Sequence, residues 1–415
     1  MDLTIEQSCP GCGADIELHE DDRMVRCPFC EVDNYMLEQG ARRFVLPWSL
    51  PLAIDESDLF FVPYLRFKGA IYYTTGEKVK YRLVDATRLG IGNDRLPASL
   101  RLRPQAMKVK PVVADMTGRF LPQTVKTEIV FSHATRITTL FAKEKEGNIY
   151  NRAFIGESIS RIYQPYYIHQ EQLFDAVDNN PLGEFSSYRI DQRSGLAAKT
   201  SWEPRFISTV CPQCADLLQG ERDSLALSCN NCETMWVEQG DRFVPLQWSL
   251  VKSERRGARY LPFWKISLSS PDKNLETLGA FLRLTNQPVL VRREYDDIPF
   301  SFWIPAFKVN PRTLLQLAEK LTVIQSRIPE GTTGRLDNNY PVTLPLKEAV
   351  QSIKSVLAGA ALYKKRVYPM LPKIDTSPGV TSLVYLPFSG NSHDLTQEHT
   401  MVTVNAAALK FGRKL

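Results

Sequence analysis

No stretch of this chain approaches the roughly 18 consecutive apolar residues that a bilayer-crossing helix needs, so no membrane span is expected. Recognisable enzyme motifs are lacking too. There is no Gly-rich loop ending in Lys-Ser or Lys-Thr to cradle phosphates, and Gly90 and Gly92 lack the third glycine of a dinucleotide fingerprint. Neither a His-Glu-x-x-His helix nor a Gly-x-Ser-x-Gly elbow occurs. Histidine is scarce, at 5 residues in 415, which leaves little for imidazole chemistry. His393 and His399, with Asp394 and Glu398 nearby, read as a polar turn before a strand over Thr400–Val404. Glu294, Asp296 and Asp297 read as a solvated turn, not an acid–base pair. Residues Met1–Gln7 have neither the basic flank nor the apolar core of a signal peptide.

All 8 cysteines fall into two clusters of one spacing. Cys9 and Cys12 are followed after fourteen residues by Cys27 and Cys30; Cys211 and Cys214 are followed after fourteen by Cys229 and Cys232. Two residues between cysteines let both thiolates of a knuckle reach one ion, and two knuckles complete a tetrahedral sulfur shell. Each cluster resembles the zinc-ribbon superfamily, a likeness covering roughly sixty residues. The first knuckle, Cys9-Pro10-Gly11-Cys12-Gly13, has the usual form, and the second copy departs from it at Ala215 and at Asn230, where Pro28 stands in the first. Between knuckles, strands are expected at Ala14–Leu18 and Met24–Arg26 around the turn 19–23, and at Asp216–Gln219 and Ser224–Ser228 around the turn 220–223. The cofactors expected are two structural zinc ions, with rubredoxin-like iron the alternative ion and redox-active cysteine pairs behind both. Reduced, metal-bound cysteines without a secretion signal point to the cytoplasm.

The net charge of +5 fades on metal binding. A divalent ion held by four thiolates carries about −2, so two filled sites bring the chain near +1, which gives little support to a nucleic-acid role.

The repeat extends past the cysteines. Glu38-Gln39-Gly40 recurs as Glu238-Gln239-Gly240 and Trp48-Ser49-Leu50 as Trp248-Ser249-Leu250, both 200 residues on. Val62–Phe67 parallels Leu261–Ile266, Pro104–Pro111 parallels Pro305–Pro311, and Ile162–Tyr166 parallels Val384–Phe388. The expected fold class is α+β: a tandem duplication of a zinc ribbon followed by a mixed α+β domain with a mainly antiparallel sheet. The domains are expected at 1–45 (ribbon), 46–178 (α+β), 179–205 (a connector with little core), 206–245 (ribbon) and 246–415 (α+β). On this symmetry Trp48 should pack as Trp248 does, and Lys108 should occupy the place of Lys308. Strands are expected at Phe60–Phe67, Ala70–Thr74, Val79–Val84, Arg161–Ile168, Arg259–Leu268, Val289–Arg293 and Leu383–Phe388. Helices are expected from Asn310-Pro311 through Ile324 and over Leu346–Leu362, with no counterpart after Pro111.

A candidate binding surface combines basic and aromatic residues: Arg101, Arg103, Lys108, Lys110, Arg255, Arg256, Trp264 and Trp303. Cations beside stacking rings are what a single nucleic-acid strand needs, whereas inward-facing rings under a charged outer face would be ordinary core. The function expected is a non-catalytic zinc-binding adaptor or scaffold that docks another protein. The alternatives are a single-stranded nucleic-acid-binding factor and an enzyme with an unrecognised site. No small-molecule cofactor is evident.

Overall fold

The computed structural model describes residues 4–9, 11–19, 22–37, 42–76, 78–112, 116–141, 148–191, 196 and 205–412. Pro10, part of the 19–23 turn, the segment Glu38-Gln39-Gly40 and most of the later part of the expected connector lie outside them. The chain forms two compact units: Met1–Lys68 with Leu83–Phe141 and Glu157–Ile207, and Gly69–Arg82 with Ala142–Gly156 and Ser208–Leu415. Sheets are mainly antiparallel and mixed with helices, an α+β fold.

In the second unit the main sheet runs Phe302–Pro305, Arg259–Leu268, Pro378–Gly390, Asp394–Gln397, Thr403–Asn405. Trp248–Leu250 joins it by parallel pairing with Pro378–Gly390. Helices Pro311–Val323 and Leu346–Ala360 cover it. The first starts where Asn310 accepts a hydrogen bond from the Thr313 N–H (2.9 Å) and Pro311 supplies a pre-set first position. Leu314, Leu317 and Leu321 line its inner face and Ile353, Val356 and Leu357 that of the second helix, all fully buried. Val289–Arg293 does not become a strand; a 3-10 turn at Arg293–Asp296 stands there, with Asp296 held by Arg283.

The hairpin around residues 75–78 and the start of the strand Asn151–His169 belong to this unit although the sequence places them in the first copy. Tyr72, Ala153 and Ile155 enter its core. Helix Leu346–Ala360 grips the strand with successive polar groups: Glu348 accepts from the Gly156 N–H, Gln351 from the Phe154 N–H, and Asn151 donates to Ser355. Residues 348, 351 and 355 share one helical face, so one helix face can follow an extended edge.

The first unit's sheet runs Pro181–Glu184, Gln172–Asp175, Asn151–His169, Arg42–Val45, Lys110–Pro111. Phe60–Thr74 pairs with Asn151–His169 and carries Val79–Leu89 and Arg119–Phe120.

Matching backbone bonds in the two units establish the duplication. Asp175 N donates to Asn180 O and Asn179 N to Asp175 O; Gln397 N donates to Val402 O and Met401 N to Gln397 O. The offset is 222 throughout (397 − 175), and both turns place their fifth residue in the left-handed region, Asn179 at φ 57° and Met401 at φ 59°. Phe185 N to Glu171 O has a near counterpart in Ala406 N to His393 O, where the acceptors keep the offset of 222 and the donors differ by 221. Residues 181–188 are thus the end of the first copy, equivalent to the strand and helix over 403–412, and not connector. Tyr188 is buried there, with Leu182 and Phe185 packed beside it.

Two expected equivalences fail on register. Val45 pairs with Tyr163 and Leu250 with Tyr385, so Trp248 corresponds to Arg43 and the Trp-Ser-Leu match is five residues out of step. Trp48 stands edge-on to Phe61 and donates to Glu56 (3.2 Å); Trp248 stands edge-on to Tyr385 and donates to Glu233 O (3.1 Å). Likewise Gly90 N bonds Pro63 O where Ala306 N bonds Pro262 O, so Gly90 and not Ala106 answers to Ala306. Lys108 therefore has no counterpart in Lys308.

Candidate metal centres

Each cysteine pair sits in a tight turn whose backbone turns its N–H groups toward sulfur. In the first cluster Gly13 N donates to Cys9 O (2.8 Å) and Glu31 N to Cys27 O (2.9 Å), with Gly13 and Glu31 left-handed at φ 75° and 56°. The second cluster repeats this: Ala215 N donates to Cys211 O (2.9 Å), and Ala215 and Glu233 have φ 63° and 55°. A strand pair frames the second knuckle of each cluster. Met24–Arg26 pairs antiparallel with Asp33–Leu37 in the first, and Ala226–Cys229 with Thr234–Glu238 in the second. Expected strands Ala14–Leu18 and Met24–Arg26 appear as Asp15–His19 and Met24–Arg26; Asp216–Gln219 forms only bridges, Val210 to Leu217 and Gln219 to Ser228.

The sulfurs converge. Cys9 and Cys30 lie 3.8 Å apart and Cys12 and Cys27 3.6 Å; Cys211 and Cys232 lie 3.6 Å apart and Cys214 and Cys229 3.4 Å. In each cluster all four are within 4.8 Å of one another, and none is in a disulfide. A tetrahedral shell with metal–sulfur bonds of about 2.3 Å puts its sulfurs roughly 3.8 Å apart, close to these edges. Both clusters can therefore hold a metal ion. In each cluster backbone N–H groups pull one buried thiol toward the thiolate form that such a shell requires. The Cys30 N–H holds the Cys27 thiol down at about 6. Burial pushes the Cys211 thiol up, but the N–H groups of Cys214 and Gln213 outweigh it and bring it to about 6. Thr234 Oγ1 lies 3.0 Å from Cys232 Sγ, and Asn34 Nδ2 approaches Cys9 Sγ at 3.9 Å. With four protein sulfurs the shell has no open position for a substrate.

The two tryptophans of the candidate binding surface are buried. Trp264 and Trp303 are each only 4 % exposed, so neither offers a face to a ligand. Trp264 donates to Leu344 O (2.9 Å), and Lys265 lies over the Trp303 ring (5.7 Å). Arg103 is engaged by Gln164 (3.1 Å), Asp175 (2.5 Å) and Asp178 (2.7 Å), an internal brace of the hairpin. Arg101, Lys108, Arg255 and Arg256 are exposed, and Lys110, also exposed, covers Trp48 (5.5 Å). His399 and Glu398 lie in the turn before Thr403–Asn405, where Glu398 accepts from Ser253 and Ser389.

One feature escaped the sequence reading. Phe29, on the second knuckle of the first ribbon, is 71 % exposed, with Val32 beside it exposed as well. The second ribbon carries Asn231 and Thr234 at these places. The signal was present in the Pro-Phe against Asn-Asn contrast between the knuckles. Family models, curated proteins and solved structures were all compared with the chain, and none matches it. Among the described residues no helix is long and apolar enough to cross a membrane.

Proposed function

We propose that this protein is a non-catalytic adaptor or scaffold of the zinc-ribbon kind, holding two structural zinc ions and docking another protein from a reducing compartment such as the cytoplasm. The observation that carries this reading is the pair of closed four-sulfur clusters, whose chemistry suits zinc and leaves no coordination site for a reaction. Supporting a protein partner are the burial of Trp264 and Trp303, which removes stacking platforms, and the exposure of Phe29 on one ribbon only. Elemental analysis of protein produced without added metal is expected to find about two equivalents of zinc; iron in its place would overturn the metal assignment. Affinity purification from the native cell is expected to recover a protein partner that survives nuclease and is reduced by Phe29→Asn. Loss of the partner on nuclease treatment, with oligonucleotide binding that falls steeply with salt, would favour the nucleic-acid reading instead.

A further inference from the structure

Two connections of the second unit carry apolar side chains into solvent. The helix Leu278–Thr285 stops at Asn286, which takes the left-handed conformation (φ 55°), and the chain runs on through Val289, Leu290, Arg292 and Arg293. The helix Leu346–Ala360 stops beside it and runs on into Leu362, Tyr363, Lys365 and Arg366. The two stops are tied together: Leu362 N donates to Thr285 O (3.0 Å), and Gln287 Nε2 donates to Ala360 O. Each connection thus satisfies a terminal carbonyl of the other helix. Leu290 is 83 % exposed and Leu362 58 %, with Val289 and Tyr363 exposed as well, while Val291 packs on the core and anchors its loop.

Both connections have the same order, apolar residues followed by cations: Val289-Leu290-Val291 before Arg292-Arg293, and Leu362-Tyr363 before Lys364-Lys365-Arg366. Some of this charge is spent inside the unit. Arg292 pairs with Glu294 (3.2 Å), Arg283 pairs with Asp296, and Lys364 has a partner within the chain. Arg293, Lys365 and Arg366 are exposed, and among the described residues no carboxylate pairs with them; against these three stands the exposed Asp297. The balance is positive beside the apolar tips. At its exposure Leu290 touches little of its own chain, so it protrudes and lines no groove. A protein partner fills pockets of matching shape, whereas a bilayer needs none. Aliphatic tips can enter the acyl boundary, a tyrosine suits the headgroup level, and cations suit anionic lipid. We propose that these two connections dock the second unit on a bilayer surface rich in anionic lipid. Leu290 and Leu362 enter the apolar boundary, and Arg293, Lys365 and Arg366 meet the headgroups. The surface uses neither cysteine cluster and is independent of the adaptor reading.

The test is flotation of the full-length, zinc-loaded chain with vesicles of phosphatidylcholine alone or with about 30 % phosphatidylserine. Binding to the anionic vesicles is expected to be about tenfold or more tighter, and to weaken as salt rises from about 50 to 300 mM. Leu290→Ser combined with Leu362→Ser, both exposed changes, should cost about tenfold and leave the salt dependence as it was. Lys365→Ala combined with Arg366→Ala should cost a similar factor and flatten that dependence. Urea midpoints equal to wild type are the check that these variants fold. Tyr363→Trp adds a probe of depth, whose extra fluorescence brominated lipid should quench. No binding to anionic vesicles, full binding by the double serine variant, or a Tyr363→Trp signal untouched by brominated lipid would each overturn the proposal. Capture of an acidic protein through these residues, without vesicle binding, would overturn it in favour of a protein interface.

Discussion

Glu319 and Ala215 work against the stability of the folded chain. The ordinary glutamate value is 4.5, and burial raises Glu319 to about 7. Below about pH 4.5 the carboxyl is protonated in folded and unfolded chains alike and its contribution is intact. As pH rises through 7 the unfolded chain has already ionised, so stability is lost. Glu319→Gln is therefore expected to raise stability by roughly 1–3 kcal/mol at about pH 8 and to change little near pH 4, read from urea unfolding at both values. Ala215 holds a left-handed conformation that Gly13 holds without cost in the other ribbon. Ala215→Gly should stabilise the second ribbon by about 0.5–1 kcal/mol, the relieved strain exceeding the added freedom of the unfolded chain. Arg103 acts in the opposite sense: the Asp175 side chain it pairs with is only 7 % exposed. Arg103→Ala would leave that carboxylate without its counter-charge, held only by Gln164 and the Val177 N–H, and should cost about 1–3 kcal/mol, measurable as an earlier urea midpoint.

At the scale of elements, each ribbon is a pair of short hairpins around a few buried groups, Cys9, Ile16, Val25, Cys27 and Met36 in the first. So small a core cannot hold itself, and a metal ion bound by the four sulfurs would supply the missing stability. Cys27→Ser should release the first ribbon and Cys229→Ser the second, each leaving the sheets in place. Hydrogen exchange confined to 4–45 in one case and 208–246 in the other is the expected readout, and equal wild-type protection in both would rule the dependence out. The helix Leu346–Ala360 and the strand it grips form a different kind of element. Gln351 and Ser355 hold the strand by hydrogen bonds that backbone and side chain would otherwise make with water. Replacing both by alanine should speed exchange over 151–156 without loosening the helix.

Across the whole molecule the duplication has kept the hairpins and let the connections drift. Between Arg259–Leu268 and Phe302–Pro305 the second copy inserts a helix, Leu278–Thr285, whereas the first copy simply extends its strands around 75–78. That extension packs into the second unit's core, so the boundaries of the compact units cut through continuous strands. Each sheet has an apolar core of its own, around Phe60, Tyr64 and Tyr166 in the first unit and Phe263, Ile304 and Val356 in the second. Metal removal is thus expected to melt the ribbons first, giving a two-step calorimetric trace whose second transition survives chelator.

By itself the sequence determined what rests on local spacing. Two-residue gaps between cysteines predict the knuckles, and Asn310-Pro311 with leucines at helical intervals predicts its helix. Alternating aromatic strands predict Arg259–Leu268, whose bounds agree to the residue. Register and company were decided only in three dimensions. Short likenesses such as Trp48-Ser49-Leu50 can arise out of step, and a pairing partner hundreds of residues away shows which residues are equivalent. Trp303 sits two residues from Pro305 in a strand that reads as half-exposed, yet all four residues of that strand are buried. Glu319 lies in an ordinary amphipathic helix; what makes it unusual is a glycine forty residues later and a hairpin from the other copy. Burial and pairing depend on neighbours that local patterning does not encode, because the hydrophobic and electrostatic terms act on what is near in space.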